Sequence, residues 1–563
     1  MAERQGLSPN GDCPLPGGYS PRGSAFPLGW QRLPQRDRDS PRLAGPDRVG
    51  GRRLGRAATA VAALKPSQMA ALRAPPFRTR AYLAAVAVGL AVFGYGRVTS
   101  YLAWGKALRE AGFIGEMAPP AGGERLLIVA PHPDDEALGC GGLIQEALRA
   151  GAEVHVVLMT NGDASELALI FGERELPSGP GSFIDLGRKR QQESLRALAG
   201  LGLNASHVHF LGFPNNGLLA LWRPEHWRYS QPYRSPYTGA VYSPYDHIVT
   251  PEAPYCGQQV LADLMAVLQQ VRPTSIFVTA PQDVHPDHWA TCCFVRYALA
   301  TVAVRGAEWA RATKVYGYLV HWPRFPAPAR ASVKLALLPP TSLVGFAGHW
   351  QRLSLSPDIA RAKLRAIRAY RSQEPGLDRL LLRFARANEV YDALDAVDME
   401  LGAPRVWTFA DARRRGLGGA RVSELRLDVT REPALTAELA TAPQPLNNHA
   451  YVGLDVRSWD EGAAPALTTI YVTHGDAARV VRLSVGGLSD RSFAVQKAAP
   501  GRLRIANVPL PENILARGEF FVTCWGSIGD RVTAPALVSQ VRLRSAPREP
   551  APDRGLAHSE PGH

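Results

Sequence analysis

Between residues 124 and 320, short unbroken apolar runs alternate with longer stretches in which apolar residues recur every three or four positions. The runs "RLLIVA", "EVHVVLMT", "HVHFLGF", "SIFVTA" and "VYGYLV" are rich in β-branched residues and have no polar alternation. That is the composition of strands covered on both faces. Between them, "LIQEALRAGA", "RKRQQESLRALAGLG" and "QVLADLMAVLQQV" carry the helical period. Strand and helix in alternation predict an α/β fold, Rossmann-like, with an open and mostly parallel sheet and helices on both faces. Residues 356–390 read as two further helices, and the α/β domain is expected over 124–400.

Past residue 400 the period changes to two. "SELRLDVT", "YVGLDVRSW", "TTIYVTHG", "VVRLSVGG", "RLRIANV", "EFFVTCWG" and "LVSQVRLR" alternate apolar with polar and are separated by Gly, Pro, Asn and Asp. Short strands with frequent turns predict an all-β, sandwich-like C-terminal domain over 421–546. The Pro- and charge-rich stretch 547–563 reads as a disordered tail.

The beginning of the chain has another character. Residues 1–68 are rich in Pro, Gly, Arg and Ser without any period, and read either as disordered or as preceding the true start. From Met69 a short basic segment with Arg73, Arg78 and Arg80 leads into the 16-residue apolar run Ala81–Gly96. Residues 69–105 therefore resemble an export signal or signal-anchor, with translation expected from Met69. Extended through "VTSYLAWG", the run approaches the length of a tilted membrane span, with Arg97 as its flaw. The alternatives are a cleaved signal and an apolar helix packed on the domain. The arginines place the remainder outside the cytoplasm, membrane-anchored or secreted.

Charge qualifies this picture in one respect. The formal net charge is +14, but residues 1–80 hold 14 Lys/Arg against 5 Asp/Glu, so +9 of it lies there. No basic helix or basic–aromatic motif follows, which argues against nucleic acid as the main partner. The six cysteines, Cys13, Cys140, Cys256, Cys292, Cys293 and Cys524, form no CxxC pair and read as small buried residues.

Candidate chemistry appears where two strands end. "LLIVAPHPDDEALGCGG" (126–142) delivers His132, Asp134, Asp135 and Glu136 just past a buried strand. Concentrating that charge at one spot calls for a cation. "SIFVTAPQDVHPDHWAT" does the same with Asp283, His285, Asp287 and His288. The carboxyl ends of strands in an open α/β sheet are where sites form. Two imidazoles and a carboxylate with an open position are the donor set of a catalytic zinc site, although iron or cobalt suits the same donors.

These two segments resemble the His-Pro-Asp-Asp-Glu and His-Pro-Asp-His signatures of the PIG-L/LmbE-like zinc deacetylases. "MTNGD" (159–163), "GRKRQQESLRALAGLG" (187–202), "FLGFPNNG" (210–217) and "AIRAYRSQ" (366–373) are similar to further family segments. The resemblance covers about 124–395. It implies a Rossmann-like enzyme that removes the N-acetyl group of an N-acetylglucosaminyl compound. It implies Zn2+ on His132, Asp135 and His288, Asp134 as general base, and a charged His285 at the oxyanion, oriented by Asp287. A zinc-bound water with its pKa lowered towards about 7 suits that chemistry. One departure is that Asp283 stands where some members have Tyr. Another is that Asn215 and Asn216 stand where acidic residues are common.

Around this centre, Asp163 reads as a partner for a sugar hydroxyl or as a turn residue. Arg190 and Glu193, three apart on a helix, read as a substrate-side pair or a surface ion pair. The insertion 218–256 carries Trp222, Trp227, Tyr229, Tyr233, Tyr237, Tyr242, Tyr245 and Tyr255. It reads as a substrate wall, with Trp222, Trp227 and Tyr237 stacking on sugar, or as a loop packed on its own core. His321 ends a strand beside the crevice. A carbohydrate or glycolipid substrate is expected. Another amide at the same metal, or a non-catalytic glycan-binding surface protein, is the alternative.

Overall fold

The computed structural model describes residues 114–408 apart from 167, 174–176, 341–342, 344–348 and 374–379, segments between 422 and 544, and scattered positions between 86 and 108. The expectations for 1–68 and 547–563, and for most of the apolar run at 81–96, lie outside the described residues. Among those described, no helix is long and apolar enough to cross a membrane.

The first strands and helices follow the apolar pattern. In chain order they are β1 (Gly115–Glu116), β2 (Arg125–Ala130), α1 (Asp135–Arg149), β3 (Glu153–Thr160), α2 (Pro180–Gly200), β4 (Val208–Phe213), α3 (Leu218–Trp222), α4 (Gly257–Val271), β5 (Ser275–Thr279), α5 (Pro286–Val304), α6 (Glu308–Ala312), β6 (Lys314–Tyr318), β7 (His349–Ser354), α7 (Pro357–Ile367) and β8 (Asn388–Ala393). The strands make one mixed sheet in the order β1-β7-β8-β6-β5-β2-β3-β4. It is parallel except at β8, which runs antiparallel to both neighbours.

Strand residues alternate between the two faces. Leu126, Ile128 and Ala130 of β2 join one core with Leu138 and Leu143 of α1 and Ala197 of α2. Leu127 and Val129 join the other with Val260 of α4 and Phe294 of α5. Helices therefore cover both faces, and α1 lies tight on the sheet. A Cβ on Gly139 would stand 2.3 Å from the Tyr318 ring, so only glycine permits that approach.

Two strands depart from the sequence reading. The second helix expected within 356–390 is instead a 3-10 turn at Leu382–Phe384 followed by β8. The strand "NEVYDA" looks helical because its buried positions include Asn388, Glu389 and Asp392. Internal partners make that burial possible. Asn388 exchanges hydrogen bonds with the Leu337 backbone. Glu389 accepts from the Gly142 and Leu143 amides and pairs with Lys363.

The change of architecture also falls slightly earlier than residue 400. Strand β9 (Val397–Glu400) pairs in parallel with β19 (Arg531–Arg544), not with the first sheet. Beyond it lie β10 (Arg405–Thr408), β11 (Val422–Val429), β12 (Ala434–Thr441), β13 (Ala450–Arg457), β14 (Leu467–Thr473), β15 (Arg479–Val485), β16 (Val495–Ala499), β17 (Arg502–Pro509) and β18 (Glu519–Ile528). They form one sheet ordered β10-β11-β12-β17-β16 and another ordered β15-β14-β13-β18-β19-β9.

Candidate metal centre

Strands β2 and β5 are separated by nearly 150 residues but lie side by side, in parallel, so their carboxyl ends open at one place. After β2 the chain turns through Pro131–Asp134 into α1. Asp134 caps that helix with φ at +121°, a backbone state that L-residues avoid and that concentrates at functional sites. After β5 it turns through Asp283 into α5, which His285 caps by accepting the Asp287 amide on Nδ1 at 3.2 Å.

Three donor atoms meet between these turns. Asp135 Oδ2 lies 3.2 Å from His132 Nδ1 and 3.1 Å from His288 Nε2, and the two nitrogens are 3.2 Å apart. Tetrahedral ligands at about 2.0–2.1 Å from an ion stand about 3.3 Å from one another, so this triangle has the size of one face of such a site. The far nitrogen of each ring meets a carboxylate. His132 Nε2 is 3.1 Å from Asp287 Oδ2, and His288 Nδ1 is 3.2 Å from Asp283 Oδ2. Metal-binding imidazoles are oriented in this way. All five groups are buried or nearly so. His321 Nδ1 or Nε2 also comes within 4.8 Å of donor atoms of Asp135 and His288. The donor set and spacing fit a divalent transition-metal ion.

The electrostatics agree. Burial works against charge on Asp135, but the charge of His288 and hydrogen bonds from His132 and His288 hold its carboxyl well below the usual range. The same carboxylate, with Asp283, lifts His288 to about 10 despite burial. Asp134 is pushed the other way, well above its ordinary value, by burial and the charge of Asp135. Arg190 opposes this, its Nη2 standing 3.4 Å from Asp134 Oδ2. Arg190 is itself fixed by the Pro133 and Gly162 carbonyls.

His132, Asp134, Asp135, Arg190, Asn215, Asn216, His285 and His321 line one cavity of about 530 Å³. Leu138, Trp322, Phe325, Leu381 and Phe384 supply its apolar side. Two expected roles change. Asp287 does not orient His285 with its carboxylate. Oδ1 accepts from the Leu218 amide at 3.0 Å, and Oδ2 accepts from the Asn216 amide at 2.6 Å while facing His132. His285 stands where charge is disfavoured: burial, then the neighbouring imidazoles of His132, His288 and His321, hold its pKa well below the ordinary value.

The expected sugar contacts move as well. Asp163 is fully buried, accepting from the Asn215 amide at 3.1 Å and the Tyr245 hydroxyl at 2.7 Å, so it fastens loops. Trp222 and Trp227 are 0% and 3% exposed and pack edge-to-face with each other; Trp222 meets Phe294 of α5 edge-to-face, while Trp227 stacks on Phe294 and meets Tyr297 edge-to-face. Tyr237 lies edge-to-face on Phe183, away from the cavity lining. The aromatic insertion is thus largely core. The role of Asp283 was not foreseen. Only Val284 separates it from His285, and that spacing gives no sign that its carboxylate meets His288, five residues on. Glu136, receiving the Tyr370 hydroxyl and the Asp134 amide and raised to about 7 by burial, was also missed as a brace for the turn.

With this geometry in view, residues 127–299 match the family model described as PIG-L: GlcNAc-PI de-N-acetylase. The matched stretch takes in both strand ends that build the metal centre. Among relatives, a 1D-myo-inositol 2-acetamido-2-deoxy-alpha-D-glucopyranoside deacetylase of Mycobacterium sp. (strain KMS) is 33% identical over 210 residues, 36% of this chain and 57% of that protein. The protein of the same description from Mycolicibacterium smegmatis is 33% identical over 178 residues, 31% of this chain and 53% of its own. The chain thus spans a little over half the length of these curated relatives. Among solved structures, N,N'-diacetylchitobiose deacetylase from Pyrococcus horikoshii is similar at 18% identity and a TM-score of 0.29, over 48% of this chain and 84% of that one. That likeness is too distant to bear on activity.

Proposed function

We propose that the chain is a metal-dependent N-deacetylase that removes the acetyl group from an N-acetylglucosamine-containing glycan or glycolipid. The observation that carries the reading is the donor triangle of His132, Asp135 and His288, with Asp287 and Asp283 behind its two imidazoles. The family match and the substrates named for the relatives support an N-acetylglucosaminide. Zinc is the ion this N/O donor set suits best.

His132, Asp135 and His288 would hold the ion, which when bound supplies a Lewis acid for the amide carbonyl and lowers the pKa of a water beside it. Asp134, at the cavity wall and raised in pKa, accepts that water's proton as the water oxygen attacks the amide carbon. Arg190 keeps Asp134 in place and disfavours its premature protonation. His285 accepts the Asp287 amide on Nδ1, so its neutral ring carries hydrogen on Nε2 and can donate to the developing oxyanion. Asp134 then returns its proton to the amine nitrogen as the carbon–nitrogen bond breaks, leaving acetate and a free amino sugar. The apolar side near Trp322 and Phe325 suits the acetyl methyl and the sugar face.

The two C-terminal sheets support a sandwich-like second unit. The arginines before the apolar run at 81–96 support export, anchored or secreted. The test is acetate release by the purified chain, loaded with zinc, from a panel of N-acetylglucosaminyl glycans and glycolipids. Acetate that disappears with a chelator and returns with zinc is expected. Zinc bound at one per chain without acetate from any member would exclude this substrate class.

A further inference from the structure

The buried aromatic insertion receives a charged side chain from the β-rich part. Arg457, the last residue of β13, is fully buried, although arginine rarely is. Its guanidinium carbon lies 3.4 Å over the Trp222 ring and 4.6 Å from that of Trp227. Its Nη2 donates to the Trp222 carbonyl at 2.5 Å. Phe521, the cross-strand partner of Arg457 on β18, packs on Trp222 and Tyr297 beside it. A cation over tryptophan in a desolvated site is attracted strongly, and the planar fork makes that contact specific to arginine.

Trp222 ends helix α3, and the other end of that helix is held by the metal centre. The amides of Asn216 and Leu218 donate to the two oxygens of Asp287, and Asp287 Oδ2 faces His132 Nε2. One helix of five residues therefore lies between Arg457 and the carboxylate that orients a metal ligand.

We propose that Arg457 is a positioning residue for the metal centre: through it the β-rich part holds α3, and α3 holds Asp287 against His132. The proposal rests on the metal-centre reading above. It assigns to the C-terminal part a supporting role in the catalytic unit, in place of glycan binding or mere cover.

The test uses the full chain in four forms: parent, Arg457→Met, Asp287→Asn and Arg311→Met. The last removes an exposed pair with Glu519 across the same junction. Zinc affinity is read by competition with a chromophoric chelator, and amide exchange is followed at Asn216 and Leu218. Asp287→Asn should weaken zinc by about 10–100-fold, the usual cost of losing an orienting partner. Arg457→Met should weaken zinc by about three- to tenfold and speed exchange at those two amides, while Arg311→Met changes neither. If Asp287→Asn weakens zinc but Arg457→Met matches the parent in affinity and exchange, the positioning role is overturned and the metal reading stands. A parent that binds no zinc overturns both. Should Arg457→Met fail to fold, Arg457→Lys carries the comparison: a partial loss of affinity supports the role, and parent affinity overturns it.

Discussion

Two clusters of buried charge flank helix α1 and are built on different principles. At its outer middle, Lys363 Nζ meets Glu389 Oε1 at 2.5 Å, and the same carboxylate accepts the Gly142 and Leu143 amides and the Tyr391 hydroxyl. Charge and hydrogen bonding close on themselves there. At its N-terminus, Asp135, Asp283 and Asp287 gather around imidazoles with Asp134 and Glu136 beside them, and among the described residues Arg190 is the permanent cation that touches this group. Those carboxylates outnumber their counter-charges. A balanced cluster is architecture, whereas an unbalanced one asks for something from outside. The comparison predicts opposite responses to mutation and to metal.

The largest effect should fall on turnover at the unbalanced cluster. Asp134→Asn keeps the shape and the contact with Arg190 but removes the proton acceptor. The acetate-release rate should fall by about 10²–10⁴-fold, the range for losing a general base. Zinc stoichiometry, measured on the same sample, should stay at one per chain because Asp134 is outside the donor triangle. A variant that turns over within a few-fold of the parent would remove Asp134 from the mechanism.

The balanced cluster should answer in stability instead. Lys363→Met leaves Glu389 buried and unpaired, and breaking such a pair costs about 3–5 kcal/mol. Denaturant unfolding should show that loss, with activity per folded molecule and zinc affinity close to those of the parent. Loss of zinc binding in a folded Lys363→Met protein would show that the two clusters are not separate after all.

This division also governs what could be read from sequence. The metal triangle was legible because its members sit within a few residues of two apolar strand ends, and strand ends of a parallel sheet converge by topology. Lys363–Glu389 was illegible: its partners are 26 residues apart, and Glu389 sits in a strand whose buried polar residues imitate a helix. The aromatic insertion was misleading for a related reason. Trp222 and Trp227 lie in a long insertion rich in aromatics, and they are buried by Phe294 and Tyr297 of α5 together with Arg457 and, at Trp222, Phe521. A contact made from 230 residues away leaves no local signal. Asp287 was recognised as an orienting group, but the ring it serves depends on which imidazole the fold brings to it.

A smaller effect should come from the carboxylate behind His288. Asp283 also gathers the amides of His285, Val320 and His321, so Asp283→Asn retains an acceptor for part of that network. Its loss of charge should weaken zinc by about tenfold, or about 1.4 kcal/mol. Isothermal titration would detect this, and unchanged affinity would mean that His288 needs no charged partner.

The smallest effect separates the crevice from the opposite end of the sheet, where histidines pack with no metal geometry among them. His155 Nδ1 and His209 Nε2 lie 3.0 Å apart, and the His155 ring stacks on His207 at 4.3 Å. Burial, then the charges of His155 and His207, bring His209 down to about 4. The folded protein therefore keeps His209 neutral where the unfolded chain would protonate it. Its contribution is complete above about pH 6.5 and is lost as pH falls towards 4. Because the ring is only partly buried, solvent screening reduces the effect to about 1 kcal/mol. His209→Gln should reduce the fall in unfolding free energy between pH 6.5 and 4 by that amount and leave zinc affinity alone. An undiminished acid sensitivity in that variant would move the cause to the crevice, whose own imidazoles lose their ion as they protonate.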